Sequence, residues 1–352
     1  MQSRKVVLGL LASLAVGCGS DAPPTPSSPP VSVAPMPPPA PAPAPTPAPP
    51  PAPPAVAREI APAVTDFAID SNLSPHFVIN PDPAVAARGK LFVMLPGTGA
   101  VPRTYRLIVR TAAERGYHAI GLTYPNDDAV ATLCSGSTDP ECAGNVRQEI
   151  LTGANSSSSV SVNSANSITG RLVSLLRHLA LNFPNEGWGQ YLSGSSLNWA
   201  LITVGGHSQG SGHAAFIGKT VTVDRVAMFS GPADPGPGAD GLALWMARPG
   251  MTPASRHYGL THTADPLVFL SQVRAGWRQI GLDGFGVLVS VDGGTPPFGN
   301  TRQLSTSAPP NPIPAGITIA PAHGSPVADA VTPIDASGQP LYRPVWVYMA
   351  FP

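Results

Sequence analysis

Charge is scarce in this chain of 352 residues: only 11% are Asp, Glu, Lys or Arg, and the formal net charge is zero. A nucleic-acid face or a polybasic membrane patch needs clustered Lys and Arg, so neither is expected here. Lysine occurs only as Lys5, Lys90 and Lys219. Cysteine is equally rare, with three in all, and an odd thiol in an exported protein needs an explanation.

Export is indicated by the first residues. Arg4 and Lys5 precede the apolar run Val6 to Val16, followed by Gly17-Cys18, which has the layout of a signal peptide over residues 1–17 and is too short to span a bilayer. Leu14-Ala15-Val16-Gly17-Cys18 is similar to a bacterial lipobox, so Cys18 is the expected lipidation site and a lipid-anchored or secreted envelope protein the expected product. Cys134 and Cys142 then remain as a pair in the loop CSGSTDPEC. A disulfide there would close about nine residues and contribute roughly 2.5 kcal/mol on the chain-entropy model. The loop holds no His or third Cys to complete a metal site.

Residues 18–57 form the expected linker. More than half of Ala22 to Pro54 is proline and most of the rest is Ala, Ser or Thr, so the segment cannot bury enough apolar surface to fold and reads as an extended polyproline II stalk. From Arg58 the composition is globular and no second proline-rich stretch interrupts it, which predicts one α/β domain over 58–352.

Within that domain, Trp199 to Val204 is a β-branched apolar run leading to Gly206-His207-Ser208-Gln209-Gly210 and then to small and apolar residues at helical spacing. This is the G-x-S-x-G pattern at a strand-to-helix switch, where a serine held in strained backbone leaves room only for glycine two residues to either side. Gly212 would let the helix pack close to the strand. Ser208 is the expected nucleophile. Other segments predict strands at Lys90 to Leu95, His118 to Tyr124, Asp224 to Ser230, Arg256 to His262 and, as the last core strand, Phe285 to Val291. Helices are expected at Arg103 to Gly116, at Ile168 to Leu181 with Arg171, Arg177 and His178 on its outer side, and at Pro266 to Ile280. Pro125 to Ser164 reads as a long irregular loop, a candidate cap over the substrate.

A serine is a poor nucleophile without a base, and the base needs a third group to orient it. In a fold built around such a nucleophile elbow the partners follow in chain order as acid and then histidine. His323, in the loop PAHGSP, is the expected base; His213 lies on the elbow helix, and His257 and His262 share one strand and precede the acid position. Asp265, directly after that strand, is the expected acid, with Asp234 as the alternative one strand earlier. The oxyanion would be held by the amides of Gln209 and Thr98, the latter in Pro96-Gly97-Thr98-Gly99. No metal or organic cofactor is needed. Gly236 to Gly241 matches G-x-G-x-x-G by letter, but its prolines remove backbone donors, which argues against a dinucleotide site.

These landmarks, LPGTG, GHSQG, TADPL and a late histidine, resemble the α/β-hydrolase superfamily from about Lys90 to His323. More narrowly they resemble a group of exported bacterial hydrolases of unassigned substrate with a similar GHSQG-x-GHAA stretch. The resemblance implies a mostly parallel sheet of about eight strands flanked by helices, and hydrolysis of a small or polymeric carboxylic ester through an acyl-enzyme on Ser208. A peptidase, lactonase or polyester depolymerase would use the same residues, and a stalked binding protein could retain the fold without turnover. Residues 292–322, between Val291 and His323, are more than a short final loop requires.

Overall fold

The computed structural model describes residues 55–352. The signal peptide, Cys18 and nearly all of the linker lie outside the described residues. The described residues begin at Ala55, and the first strand, β1, is Ala57–Ile60, starting one residue before the composition change at Arg58.

Eight further strands join it in the main sheet, a short separate hairpin at residues 192–197 aside: β2 His76–Ile79, β3 Leu91–Leu95, β4 His118–Gly121, β5 Ile202–His207, β6 Arg225–Phe229, β7 His257–His262, β8 Val289–Ser290 and β9 Gln303–Thr306. They form one nine-stranded sheet in the order β1-β2-β4-β3-β5-β6-β7-β9-β8. β1 and β2 run antiparallel to their neighbours, and from β4 onward every pairing is parallel. The chain leaves β3 to one side for β4 and later returns on its other side as β5. The C-terminal ends of β3 and β5 therefore meet at a topological switch point, where open α/β sheets place their ligands.

Six main helices cover the two faces: α1 Arg106–Glu114, α2 Cys142–Thr152, α3 Ile168–Asn182, α4 Gln209–Thr220, α5 Leu270–Ile280 and α6 Arg343–Ala350. Strand β3 shows how the layers are built. Every residue is buried, and by the period-two alternation of a strand Leu91, Val93 and Leu95 enter one core cluster while Phe92 and Met94 enter the other. The first cluster takes Val146 of α2, Leu172 and Leu176 of α3, Ile217 of α4 and Trp277 of α5. The second takes Ile108 and Ala112 of α1 with Trp346 and Met349 of α6.

Several expectations are corrected. The buried strand before the elbow begins at Ile202, because Trp199–Leu201 is a 3-10 turn. Of Phe285 to Val291 only Val289–Ser290 pairs, at the sheet edge. The core strand is instead β9, which lies between β7 and β8 and shortens the connection to His323. Pro125 to Ser164 is not an irregular loop throughout, since α2 occupies its middle and packs in the core. The serine-rich run after it is tied back to α2 by the buried Glu149 carboxylate, which accepts the amides of Ser156, Ser157 and Val162 at 3.0, 2.7 and 3.0 Å. Cys134 and Cys142 are joined, with Cα atoms 5.8 Å apart. On α3, whose N-terminus is capped by the Ser167 hydroxyl accepting from the Gly170 amide, Arg171 is fully buried rather than outward. Its guanidinium donates to the carbonyls of Asn72, Ser71 and Asn166, which satisfy a charge that burial would otherwise penalise.

Candidate active site

Ser208 sits between the end of β5 and the start of α4 with φ 54° and ψ −118°, a strained conformation for a residue with a side chain. The flanking glycines are needed by sterics. A Cβ on Gly206 would overlap the Gly210 carbonyl, and one on Gly210 would overlap the carbonyl of Leu95. Gly212 has a different function from the close strand packing its position suggests: the space a Cβ would fill holds the guanidinium of Arg147.

The expected acid and base are brought together. His323 Nδ1 lies 2.7 Å from Asp265 Oδ2, and both residues are buried. Asp265 follows β7, and its other oxygen accepts the amides of Leu267 and Val268 at 2.9 and 3.1 Å. Burial pushes the Asp265 carboxyl up, but the hydrogen bond and charge of His323 together with those two amides outweigh it and hold the group below its ordinary value. An ionised Asp265 fixes the proton of His323 on Nδ1. Nε2 is then left with its lone pair; among the described residues it has no hydrogen-bond partner, and it is not sealed from solvent. The Ser208 hydroxyl and the His323 ring are not hydrogen-bonded to each other. Such contacts are often long in ligand-free sites and tighten with substrate. The base is nevertheless held beside the elbow, because its backbone carbonyl accepts from His207 Nε2 at 3.0 Å and from the Ser230 hydroxyl at 2.7 Å.

Asp234 is not available as the alternative acid. Arg147 clamps it through two hydrogen bonds of 2.5 Å, and the Trp245 indole donates to it at 2.9 Å. Arg147 also donates to the Gln209 carbonyl at 3.2 Å, so this pair braces the first turn of α4 from below. The other late histidines have different partners: His213 is buried on α4 against the Tyr124 ring, while His257 and His262 bond the carbonyls of Pro253 and Ala308.

The loop after β3 is fixed by its own hydrogen bonds. The Gly97 amide donates to the Tyr105 hydroxyl, that of Gly99 to the Asn126 carbonyl, and that of Ala100 to the Gly97 carbonyl. Among the described residues, the Thr98 amide has no acceptor. The first amide of α4, at Gln209, has none either, as the four leading N–H groups of a helix have no intrahelical partner. The Thr98 hydroxyl donates to the Gln209 side-chain oxygen at 2.6 Å, joining the two residues that carry these free donors. Their loops meet at Ser208, since a Cβ on Gly97 would stand 3.2 Å from the Ser208 Cβ.

Arg147, Tyr105 and the structural use of His207 are not evident from the sequence. Each acts on a residue far along the chain, and only the position of His207 inside the pentapeptide could have pointed to it.

No family model and no curated protein matches this chain. Solved structures similar to it include a protein of Thermus thermophilus, 14% identical over 66% of this chain and 82% of that one with a TM-score of 0.33. A thermophilic esterase of the planctomycete Thermogutta terrifontis is 14% identical over 71% and 80%, TM-score 0.35. An α/β-hydrolase enzyme from a Medee basin deep-sea metagenome library is 12% identical over 72% and 81%, TM-score 0.35. Likenesses this distant assign no role to any residue here. The strand order with its switch at β3, and the strained serine between β5 and α4, make the architecture an α/β-hydrolase fold.

Proposed function

We propose that the protein is an exported serine hydrolase that cleaves a carboxylic ester. The observation that carries this reading is the buried 2.7 Å His323–Asp265 bond at the same sheet edge as a serine strained at φ 54°. In the first half-reaction the Ser208 proton passes to His323 Nε2 and Oγ attacks the ester carbonyl. The amides of Thr98 and Gln209 hold the oxyanion, and Asp265 stabilises the imidazolium. Collapse expels the alcohol, which takes the proton from His323. Water then attacks the acyl-enzyme with His323 again as base, and the carboxylic acid leaves.

Hydrolysis of nitrophenyl esters of increasing acyl length tests the reading and ranks the acyl pocket. Activity is expected in the native chain and should vanish with Ser208→Ala. Equal background rates for both would contradict the ester-hydrolase reading. Residues 1–18 support export and a lipid anchor on Cys18. Detergent-phase partitioning should be lost in Cys18→Ser, and partitioning that survives the change counts against the anchor.

A further inference from the structure

His207, the residue before the nucleophile, makes a hydrogen-bonded chain whose direction is fixed at every link. The Gly97 amide can only donate, so the Tyr105 oxygen accepts it at 3.1 Å and turns its own proton to His207 Nδ1 at 2.9 Å. Nδ1 must then be bare and the ring proton must lie on Nε2. There it faces the His323 carbonyl at 3.0 Å, a group that can only accept. All four residues are buried. Burial, with the neighbouring His323, pushes the His207 imidazole down to about 3, so the ring stays neutral and the chain intact near neutral pH.

We propose that His207 is a positioning residue that sets the oxyanion loop and the base in register with each other across the nucleophile. One end of the chain is the Gly97 amide, adjacent to the free donor of Thr98; the other is the backbone of His323 itself; Ser208 is covalently next to the middle. Three loops from distant parts of the sequence are thereby held by one imidazole. Catalysis tolerates little error in such distances, and a shift of about 1 Å can cost on the order of 100-fold in rate. Because the oxyanion donors and the base act in the transition state, the loss should fall on kcat and spare KM. The proposal rests on the hydrolase reading and specifies how that site is held together.

The test compares Tyr105→Phe, His207→Phe and the double variant in the full chain, using ester hydrolysis and fluorophosphonate labelling of Ser208. Each single variant is expected to lower kcat roughly 10- to 100-fold at nearly constant KM. The double variant should lose no more than the worse single one, because both cut the same chain. His207→Gln, which can still donate to the His323 carbonyl, should recover part of the loss. Nitrogen NMR of the native protein should show His207 with a bare Nδ1 and a protonated Nε2. Independent, additive losses, a change in KM alone, or a protonated Nδ1 would each overturn the proposal, and the NMR readout holds even where a variant does not fold. Failure of native Ser208 to label would instead count against the hydrolase reading, so the two outcomes are distinguishable.

Discussion

Two aspartates with neighbouring places in the fold are expected to respond differently to the same substitution. Asp265→Asn removes the carboxylate that fixes the His323 tautomer at 2.7 Å, and kcat should fall by about 10⁴, as in other serine triads that lose their acid, while urea unfolding changes little by comparison. Asp234→Asn leaves the buried Arg147 without its counter-charge and should cost roughly 3–5 kcal/mol of stability. Denaturant midpoints and steady-state rates for both variants check the contrast. The reverse assignment, a rate collapse in Asp234→Asn and a stability loss in Asp265→Asn, would contradict it. At this scale the sequence pointed to Ser208 at a strand-to-helix switch and to Asp265 after a strand, and it named His323, which the structure places 2.7 Å from Asp265. It gave no sign of Arg147, because a buried guanidinium on a helix is spelled like an exposed one until its partner is in place.

Elements were legible where an apolar period identified them, as in β3 and β5, whose residues are all buried. β9 has no such period, because three of the four residues of QLST are polar, yet all four are buried. Two of its polar side chains find partners: Gln303 Nε2 donates to Asp283 and Gly286, although its Oε1 has no partner among the described residues, and the Thr306 hydroxyl donates to Asp292. The neighbouring run Phe285 to Val291 has the stronger strand spelling but lies at the edge, with Val287 76% exposed. The insertion posed the same difficulty. Its serine-rich half is ordered by one carboxylate, Glu149, and its other half by the bond that joins the N-terminus of α2 to the turn before it. Replacing Cys134 and Cys142 together by Ser should lower stability by roughly 2.5 kcal/mol, read as a lower melting temperature that reductant reproduces in the native chain. Identical melting of native and variant proteins would show that the bond does not restrain the unfolded chain.

For the molecule as a whole, acid sensitivity follows from its buried imidazoles. Burial pushes His76 and His207 down to about 3 and His257 to about 4, with nearby cations or His323 adding to it. Between those values and the ordinary value of about 6.5 the unfolded chain binds protons that the folded chain does not, so stability rises with pH across that window. Each such histidine removes about 1.4 kcal/mol per pH unit as pH falls from about 6.5 toward 4. Asp265, held low, adds loss of the same sign further down, as pH falls from the ordinary carboxylate value through its own. Asp329 opposes it: burial raises its carboxyl to about 7 even though the amides of Arg106 and Leu107 donate to it, so ionising it costs the fold stability from about pH 4 up to 7. Three or more histidines outweigh one carboxyl, and the urea midpoint should be clearly lower at pH 5 than at pH 7. A midpoint that rises on acidification would contradict the neutral, buried imidazoles on which the site's hydrogen-bond directions depend. The site itself is tested most directly by reacting the full chain with a fluorophosphonate and locating the adduct by mass. The account predicts one adduct per chain on Ser208, formed far more slowly in His323→Ala and not at all in Ser208→Ala; a native protein that stays unmodified, or one modified elsewhere, would contradict it.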